Sequence, residues 1–368
     1  MKICFLANPT WSHIIKWSQA LTALGHDVHV VFDENNGPQE AFPRDMTLHP
    51  LKVPDYRFPC PWLFRYTLAL KRMINRISPD IVHLHNLDLA GIACVLLRVK
   101  PFLVSVYGMD IVRYGDNKEV STKKLIFKKM ILHYAQRVTA TSAYLAGQTQ
   151  KYCRFNKQKL KIIPFGVDIE KFSKEVNPEN RGVKRIGVLK DLRSEYGFKI
   201  FFDAVSVIKD RGMTFKVIIG GDGEGRKELE DYAKVLNIKD IIEFKGKIPF
   251  EEAGDFLRQM DIVVLVSVYE SFGVVGLEAQ SLGIPVVGVN VGGVSEIIDE
   301  GKTGLLIPPH DADAMAGAVI QLLKNDDLRQ RMSAQGPLFV KRNFEWEENV
   351  MSMVRLYEDL LNDQRENA

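Results

Sequence analysis

Cysteine is scarce and scattered. Four residues in 368 (Cys4, Cys60, Cys94, Cys153) form no CxxC pair and show no metal-like spacing. That argues against a disulfide framework and fits a reducing compartment. No apolar run reaches the ~18 residues of a membrane span. The opening stretch MKICFLANPTWSH has too short an apolar core for a signal peptide and reads as a first strand. Low-complexity tracts and short-period repeats are missing too, which leaves an ordinary globular chain. Net charge is small, +3 from 49 Lys and Arg against 46 Asp and Glu. The sum conceals an asymmetry: residues 1–165 carry 23 basic and 11 acidic side chains, the remainder 26 and 35. A basic first half suggests an anionic partner on that side.

A chain of this length fits two domains. Strand-like runs alternate with helical patterns throughout. The strands of the first half are KICFLAN, DVHVVF, DIVHLHN, PFLVSVYG, RVTATS and KLKIIPFG; those of the second are KRIGVL, FKVIIGG, IIEFKG, DIVVLVS, PVVGVN and GLLIP. Several lack alternation, as strands covered on both faces do. HIIKWSQALTALG and GFKIFFDAVSVIKDRG read as helices closed by glycine. Repeated β-α units in two sets predict an α/β fold of two doubly wound parallel sheets. The polar segment Val167 to Arg181 is the expected linker. In the tail FEWEENVMSMVRLYEDLLND, Trp346, Val350, Met353, Val354, Tyr357, Leu360 and Leu361 share a helical stripe, which predicts packing on a domain surface.

The stretch YESFGVVGLEAQSLGIPVV places Glu270 at the end of an apolar run and Glu278 inside a short apolar helix, about two turns beyond a start near Ser271 to Gly273. Ionised carboxylates are rarely buried alone. Ligands of open parallel sheets sit beyond the carboxyl ends of strands, and a helix start with small residues favours phosphate. Glu270 then meets sugar hydroxyls and Glu278 a ribose, or both form salt bridges to lysine or arginine; spacing alone leaves both open.

The pair resembles the Glu-x7-Glu motif of retaining glycosyltransferases. The flanking PFGVDIEKF, GGDGEGRKELE, FKGKIP and VGGVSEIIDEGKTGLLIPPHD make the chain similar to glycosyltransferase family four over nearly its whole length. The resemblance implies GT-B architecture: two Rossmann-like doubly wound parallel-sheet domains facing a cleft. Residues 1–166 would be the N-terminal acceptor-binding domain, with the C-terminal helix 345–368 packing back on it. Residues 167–344 would hold the nucleotide-sugar. Glu270 would contact hydroxyls of the transferred sugar and Glu278 the ribose, while the backbone of Phe272, Gly273 and Val274 meets sugar or phosphate. Gly220, Gly221 and Gly223 would let backbone approach the nucleotide; in a bare sequence they are equally a tight turn. Gly292, Gly293 and Glu296 match the loop after the next strand.

The sequence also departs from the family pattern. In IGVLKDLRSEYG, Val188 and Tyr196 occupy the positions of the usual Arg and Lys that neutralise the leaving diphosphate; Lys190 and Arg193 are the substitutes at hand. The family's His-Gly-x-Asp segment becomes Tyr107-Gly108-Met109-Asp110, so a phenol replaces the imidazole and Asp110 is either functional or a loop cap. The loop ANPTWSHI lacks a glycine pair, and its His13 is a ligand contact or a structural residue. His83 and His85 share a strand face without further ligands at suggestive spacing, and Asp311-Ala312-Asp313 reads as a helix cap rather than a metal motif.

These features predict retaining transfer of a hexose-type sugar from a nucleotide-diphosphate sugar to an acceptor hydroxyl, in polysaccharide, lipopolysaccharide or glycolipid synthesis. The expected donor is a UDP-sugar, with a GDP-sugar the other option. The acceptor is a glycan or lipid-linked glycan. No metal or other cofactor is called for, and nucleic acid is not an expected partner. FPCPWLFRYTLALKRMINRIS and STKKLIFKKMILHYAQR mix aromatic and basic residues in an expected cytoplasmic protein; these helices either solvate a basic face or lie on an anionic membrane, and only the second reading makes the protein peripheral to the inner face. The rivals are a nucleotide-sugar epimerase of GT-B shape and a non-catalytic basic binding module.

Overall fold

The computed structural model describes residues 1–34, 46–52, 61–108, 110–111, 122–172, 182–193 and 196–366. The chain forms two compact units: Met1–Ile163 with Val350–Ala368, and Pro164–Asn349.

In the first unit β1 (Lys2–Leu6), β2 (Asp27–Asp33), β3 (Thr47–Leu51), β4 (Ile81–His85), β5 (Phe102–Val106), β6 (Arg137–Ala140) and β7 (Leu160–Ile162) form one sheet of order β3-β2-β1-β4-β5-β6-β7. Every pairing is parallel. The crossovers contain α1 (Ser12–Ala23), α2 (Pro61–Ile77), α3 (Leu89–Leu97), α4 (Thr122–Tyr134) and α5 (Ala143–Tyr152). Strands β4 and β5 are buried at every residue, which is why IVHLH and FLVSV show no useful alternation. Order reverses at β1, between β2 and β4, the place where such sheets open a crevice.

Strand β3 is absent from the sequence reading. Its TLHPL contains Pro50, which cannot donate to a ladder, so the run scores poorly as a strand. It pairs only with β2, at the sheet edge, where a missing N–H costs little.

The second unit begins with α6 (Ile169–Phe172). It then alternates β8 (Lys184–Leu189), α7 (Phe198–Asp210), β9 (Phe215–Gly220), α8 (Arg226–Val235), β10 (Ile242–Gly246), α9 (Ala253–Leu257) and β11 (Ile262–Leu265). Next come α10 (Val274–Ser281), β12 (Val286–Val289), α11 (Val294–Ile297), β13 (Gly304–Ile307), α12 (Ala312–Lys324) and α13 (Asp326–Phe344). The parallel sheet runs β10-β9-β8-β11-β12-β13, so β8 and β11 meet where the order reverses. Helix α7 buries Phe198, Phe201, Phe202, Val205 and Ile208 against this sheet, each burial contributing about 1.5–3 kcal/mol. It ends at Arg211 and Gly212, whose φ of 69° relieves the last turn as its sequence position predicts.

The segment read as a linker is not one where it is described. Val167 donates to the Phe344 carbonyl at 2.8 Å and Phe172 is buried in the second unit; residues 173–181 lie outside the described residues. The last helix, α14 (Trp346–Glu366), starts in the second unit, where Trp346 donates to the Val167 carbonyl at 3.0 Å. From Val350 it belongs to the first, burying Val350, Met353, Val354, Tyr357 and Leu360. Leu361, on the margin of the stripe, is half-buried.

Candidate active site

The site in the second unit lies at the carboxyl ends of β8 and β11. Lys190 leaves β8 and Glu270 follows β11. The Lys190 Nζ and Glu270 Oε2 are 2.8 Å apart, and the Ser267 hydroxyl donates to the same Oε2 at 3.1 Å. Glu270 thus forms an ion pair, one of the two outcomes left open for it, and with a residue assigned to the diphosphate. Crowding around Lys190 disfavours its charge, but the Glu270 carboxylate outweighs this and raises its pKa. The side chains remain 28% and 18% exposed at a cavity, so solvent screens the pair. The Lys190 ammonium also sits 4.7 Å from the Tyr196 ring centroid. Tyr196 occupies a position expected to be basic; instead of a second cation it supplies a face that steadies the first. Val188 is buried within β8. Arg193 is exposed in the loop beyond Lys190.

The glycine loop has a definite job. The Lys190 N–H donates to Gly220 O at 2.9 Å, Leu192 N–H to Asp222 O at 3.0 Å, and Gly225 N–H to Leu192 O at 2.9 Å. A Cβ on Gly221 would lie 2.0 Å from the Lys190 carbonyl oxygen, and one on Gly223 2.4 Å from that of Leu192. The loop thus approaches the Lys190–Leu192 backbone closely, and Gly221 and Gly223 hold the lysine loop in place. Gly220 itself ends β9.

Helix α10 begins at Val274, later than its composition suggests, because Gly273 has φ 98° and breaks the helical path. Glu278 consequently stands about one turn inside, not two. It is 5% exposed, and α10 buries most of its other residues as well. Gly293 donates to the Glu270 carbonyl at 3.0 Å, and a Cβ there would lie 2.4 Å from Ser271 O. This glycine braces the Glu270 loop. Phe272 is buried between Phe165 and Phe344, with ring centroids at 6.2 and 5.7 Å, so only its backbone is available to a ligand. Lys190, Ser267, Glu270, Phe272, Gly273 and Val274 line a cavity of about 240 Å³. Ser267 and Gln280 were not singled out from sequence. Gln280 donates to Gly276 O and Ile297 O at 3.0 and 2.7 Å, tying α10 to α11. A buried amide inside an apolar helix was the available signal.

In the first unit Tyr107 and Asp110 follow β5. The Tyr107 hydroxyl lies 2.6 Å from His85 Nδ1, and its ring centroid 4.5 Å from that of His13. Asp110 Oδ1 accepts from the Gly108 and Tyr107 N–H groups at 3.0 and 3.3 Å, the geometry of a loop cap. Burial raises its pKa, and those N–H groups pull against the shift. His83 Nδ1 meets the Tyr357 hydroxyl and Nε2 the Ser105 hydroxyl, both at 2.7 Å. Burial lowers the His83 pKa to about 3 and holds His85 well below the ordinary imidazole value, so both are neutral and structural. Among the described residues no three His, Cys, Asp or Glu side chains gather as ligands. Asp311 accepts from Ala314 N–H at 2.8 Å and caps α12. Glu296, in the first turn of α11, is half-buried.

A second crevice, of about 490 Å³, opens where the order of the first sheet reverses. Asn8, Trp11, Asp33, Trp62, Asn86 and Asp88 contribute to its wall. None was picked out in the sequence, although each follows a strand end or lies near one in space.

Two doubly wound parallel sheets, each with a crevice at its switch point, match the GT-B class of glycosyltransferase. Comparison with known proteins carries this to the family. The family model for Glycosyl transferases group 1 matches residues 169–339, and that for Glycosyl transferase 4-like matches residues 2–142. The chain belongs to glycosyltransferase family four. It is 29% identical over 318 residues to a D-inositol 3-phosphate glycosyltransferase of Corynebacterium urealyticum, covering 80% of this chain and 74% of that one. It is 26% identical to an N-acetyl-alpha-D-glucosaminyl L-malate synthase of Bacillus anthracis, over 94% and 92% of the two chains. Similar folds include sucrose-phosphate synthase of Thermosynechococcus elongatus (TM-score 0.85, 21% identity, 99% of this chain and 100% of that one). HepE of Anabaena, solved with UDP and glucose, gives a TM-score of 0.81 at 17% identity over 97% and 99% of the two chains. The protein is thus a glycosyltransferase; the epimerase and the non-catalytic module are not favoured.

Proposed function

We propose that the protein transfers a hexose-type sugar, with retention, from a nucleotide-diphosphate sugar to an acceptor hydroxyl. A UDP-sugar is the preferred donor, as supported by the UDP and glucose held by the similar Anabaena fold. The observation that carries the reading is the Lys190–Glu270–Ser267 cluster beside the start of α10, in a cavity at the switch point of the second sheet. The diphosphate draws Lys190 away from Glu270, and Arg193 adds charge from the same loop. Glu270 is then released to accept hydrogen bonds from sugar hydroxyls. Backbone N–H groups from Phe272 to Val274 meet sugar or phosphate, and Glu278 meets the ribose. The Tyr107 phenol takes the place of the family's histidine near the transferred sugar, and Asp110 holds the Tyr107–Gly108 backbone beside it.

As the C1–O bond to the diphosphate breaks, its electron pair leaves with the phosphate and C1 becomes oxocarbenium-like. The acceptor oxygen bonds to C1 from the same face, and its proton passes to the departing phosphate oxygen. The protein contributes orientation, charge stabilisation and exclusion of water. The acceptor is a glycan or lipid-linked glycan. A peripheral seat on an anionic membrane belongs to the same proposal, supported by the exposed Phe64, Ile126 and Phe127 on the basic helices α2 and α4.

Calorimetric titration with UDP-, GDP- and ADP-sugars tests the donor, and NMR of the product anomer tests retention. Glu278→Ala is expected to weaken nucleotide-sugar binding, and Glu270→Ala mainly to lower turnover. Unchanged values for both reject the site.

A further inference from the structure

We propose that the cavity of about 580 Å³ at the amino edge of the first sheet binds a phosphate dianion, free or as a small monoester, away from the groups that carry out transfer. Lys100 stands just before β5, Arg137 opens β6 and Lys159 directly precedes β7. Parallel pairing brings the amino ends of these strands together, so three cations from separate segments line one cavity. The switch-point crevice of the same sheet lies at the opposite, carboxyl edge.

Two of the cations are held in position. The Lys159 Nζ donates to the carbonyls of His133 and Ala135 at 3.2 and 3.1 Å, where α4 ends. An ammonium has three N–H donors, so one is left for a ligand. The Arg137 Nη1 donates to the Gln136 carbonyl at 3.1 Å, and its Nη2 meets the Asp363 carboxylate of α14. Gln136 accepts from the Phe102 N–H at 2.8 Å through its Oε1, which leaves its amide N–H groups as further donors. Lys100 is exposed at the same cavity.

Charges of one sign gathered in this way repel. Burial lowers the Lys159 pKa, and Arg137 and Lys100 lower it further. An anion seated among the three relieves that repulsion. Asp363 already offsets part of it, but this carboxylate is 49% exposed, so its pairing with Arg137 is screened and exchanges at little cost. Phosphate is the better partner for the group: it carries a second charge and accepts from a guanidinium fork and an ammonium at once. The volume leaves room for the body of an ester beside the phosphate.

The test is calorimetric titration of the full chain with ribose 5-phosphate, inorganic phosphate and ribose. Ribose 5-phosphate is expected to bind where ribose does not. Tighter binding of the ester than of inorganic phosphate identifies a phosphorylated metabolite as the ligand, and parity identifies free phosphate. Lys100→Glu lies at an exposed position where folding is little affected. It should weaken ribose 5-phosphate about tenfold, and Arg137→Gln/Lys159→Gln should weaken it further. Asp363→Asn removes the competing carboxylate and should tighten binding several-fold, an effect that a purely structural ion pair would not give. Lys190→Ala should leave the affinity for ribose 5-phosphate at the wild-type value, and Lys100→Glu should leave that for UDP-sugar unchanged. Absence of binding by both phosphate compounds, equal binding of ribose, indifference to Lys100→Glu, or weaker binding after Asp363→Asn overturns the inference. So does loss of binding in Lys190→Ala, which would place the anion in the donor cavity instead.

Discussion

Lys190 and Glu270 neutralise each other across 2.8 Å while both face a cavity. A pair of this kind satisfies its own charges without a ligand, yet its partial exposure keeps exchange of partners inexpensive. Lys190→Ala is therefore expected to cost little stability, about 1 kcal/mol, but to reduce turnover by about 100-fold if the ammonium stabilises the leaving diphosphate. Denaturant unfolding beside steady-state kinetics separates the two effects; a large stability loss with normal kcat would mark the pair as purely structural. Gly221 acts on the same lysine from behind. Its φ is 139°, and an added Cβ would meet the Lys190 carbonyl at 2.0 Å. Gly221→Ala should destabilise by about 3 kcal/mol and weaken donor binding as the lysine loop shifts. Gly212→Ala is the control: φ is 69° but nothing lies within 4 Å, so only the conformational cost of about 1–2 kcal/mol remains, with donor binding unchanged.

Among elements, β4 is notable for burying two imidazoles, His83 at 0% and His85 at 1% exposure. A neutral imidazole offers one donor and one acceptor, which lets His83 join Tyr357 on α14 to Ser105 on β5. Here a polar link, not only an apolar stripe, fixes the last helix. Its pH dependence has a definite sign. The folded His83 has a pKa lowered to about 3, whereas an unfolded imidazole titrates near the ordinary value of 6.5. Protons therefore bind the unfolded chain first, and stability present above pH 6.5 is lost as pH falls toward about 3. Thermal melts should drop steadily over that window. His83→Gln should flatten the slope; an unchanged slope would assign the acid sensitivity to other groups.

For the whole molecule, the charge asymmetry is the largest-scale feature. The first 165 residues carry the basic excess, and α2 and α4 add exposed apolar groups, with Phe64 72%, Ile126 57% and Phe127 38% accessible. No helix among the described residues is long and apolar enough to cross a bilayer. Binding to vesicles rich in anionic lipid is the expected outcome. It should fall as salt is raised, since the Debye length shrinks to roughly 3 Å at 1 M. Phe64→Ser with Ile126→Ser should weaken it with little change in melting, because these side chains are already in water. Retention on neutral vesicles at equal strength would exclude the electrostatic account.

Apolar β-rich runs separated by helical patterns determined the fold class and twelve strands at once, because strands buried on both faces have few other ways to be written. Glu270 and Glu278 stood out because a carboxylate in an apolar setting demands a reason. Tertiary structure alone decided what those groups touch. Glu270 and Lys190 are far apart in sequence and meet only because β8 and β11 are neighbours. Gly221 and Gly223 read in sequence as a nucleotide loop or a tight turn, and only the fold shows that they pack against the Lys190–Leu192 backbone. Strand β3 was illegible because its proline is acceptable only at an edge, and edges are a property of the sheet. The crevice of the first unit was equally hidden, since its carboxylates and tryptophans come from separate segments that carry no joint pattern. Periodicity is local and survives in one dimension, whereas partner choice depends on which strand ends are brought side by side.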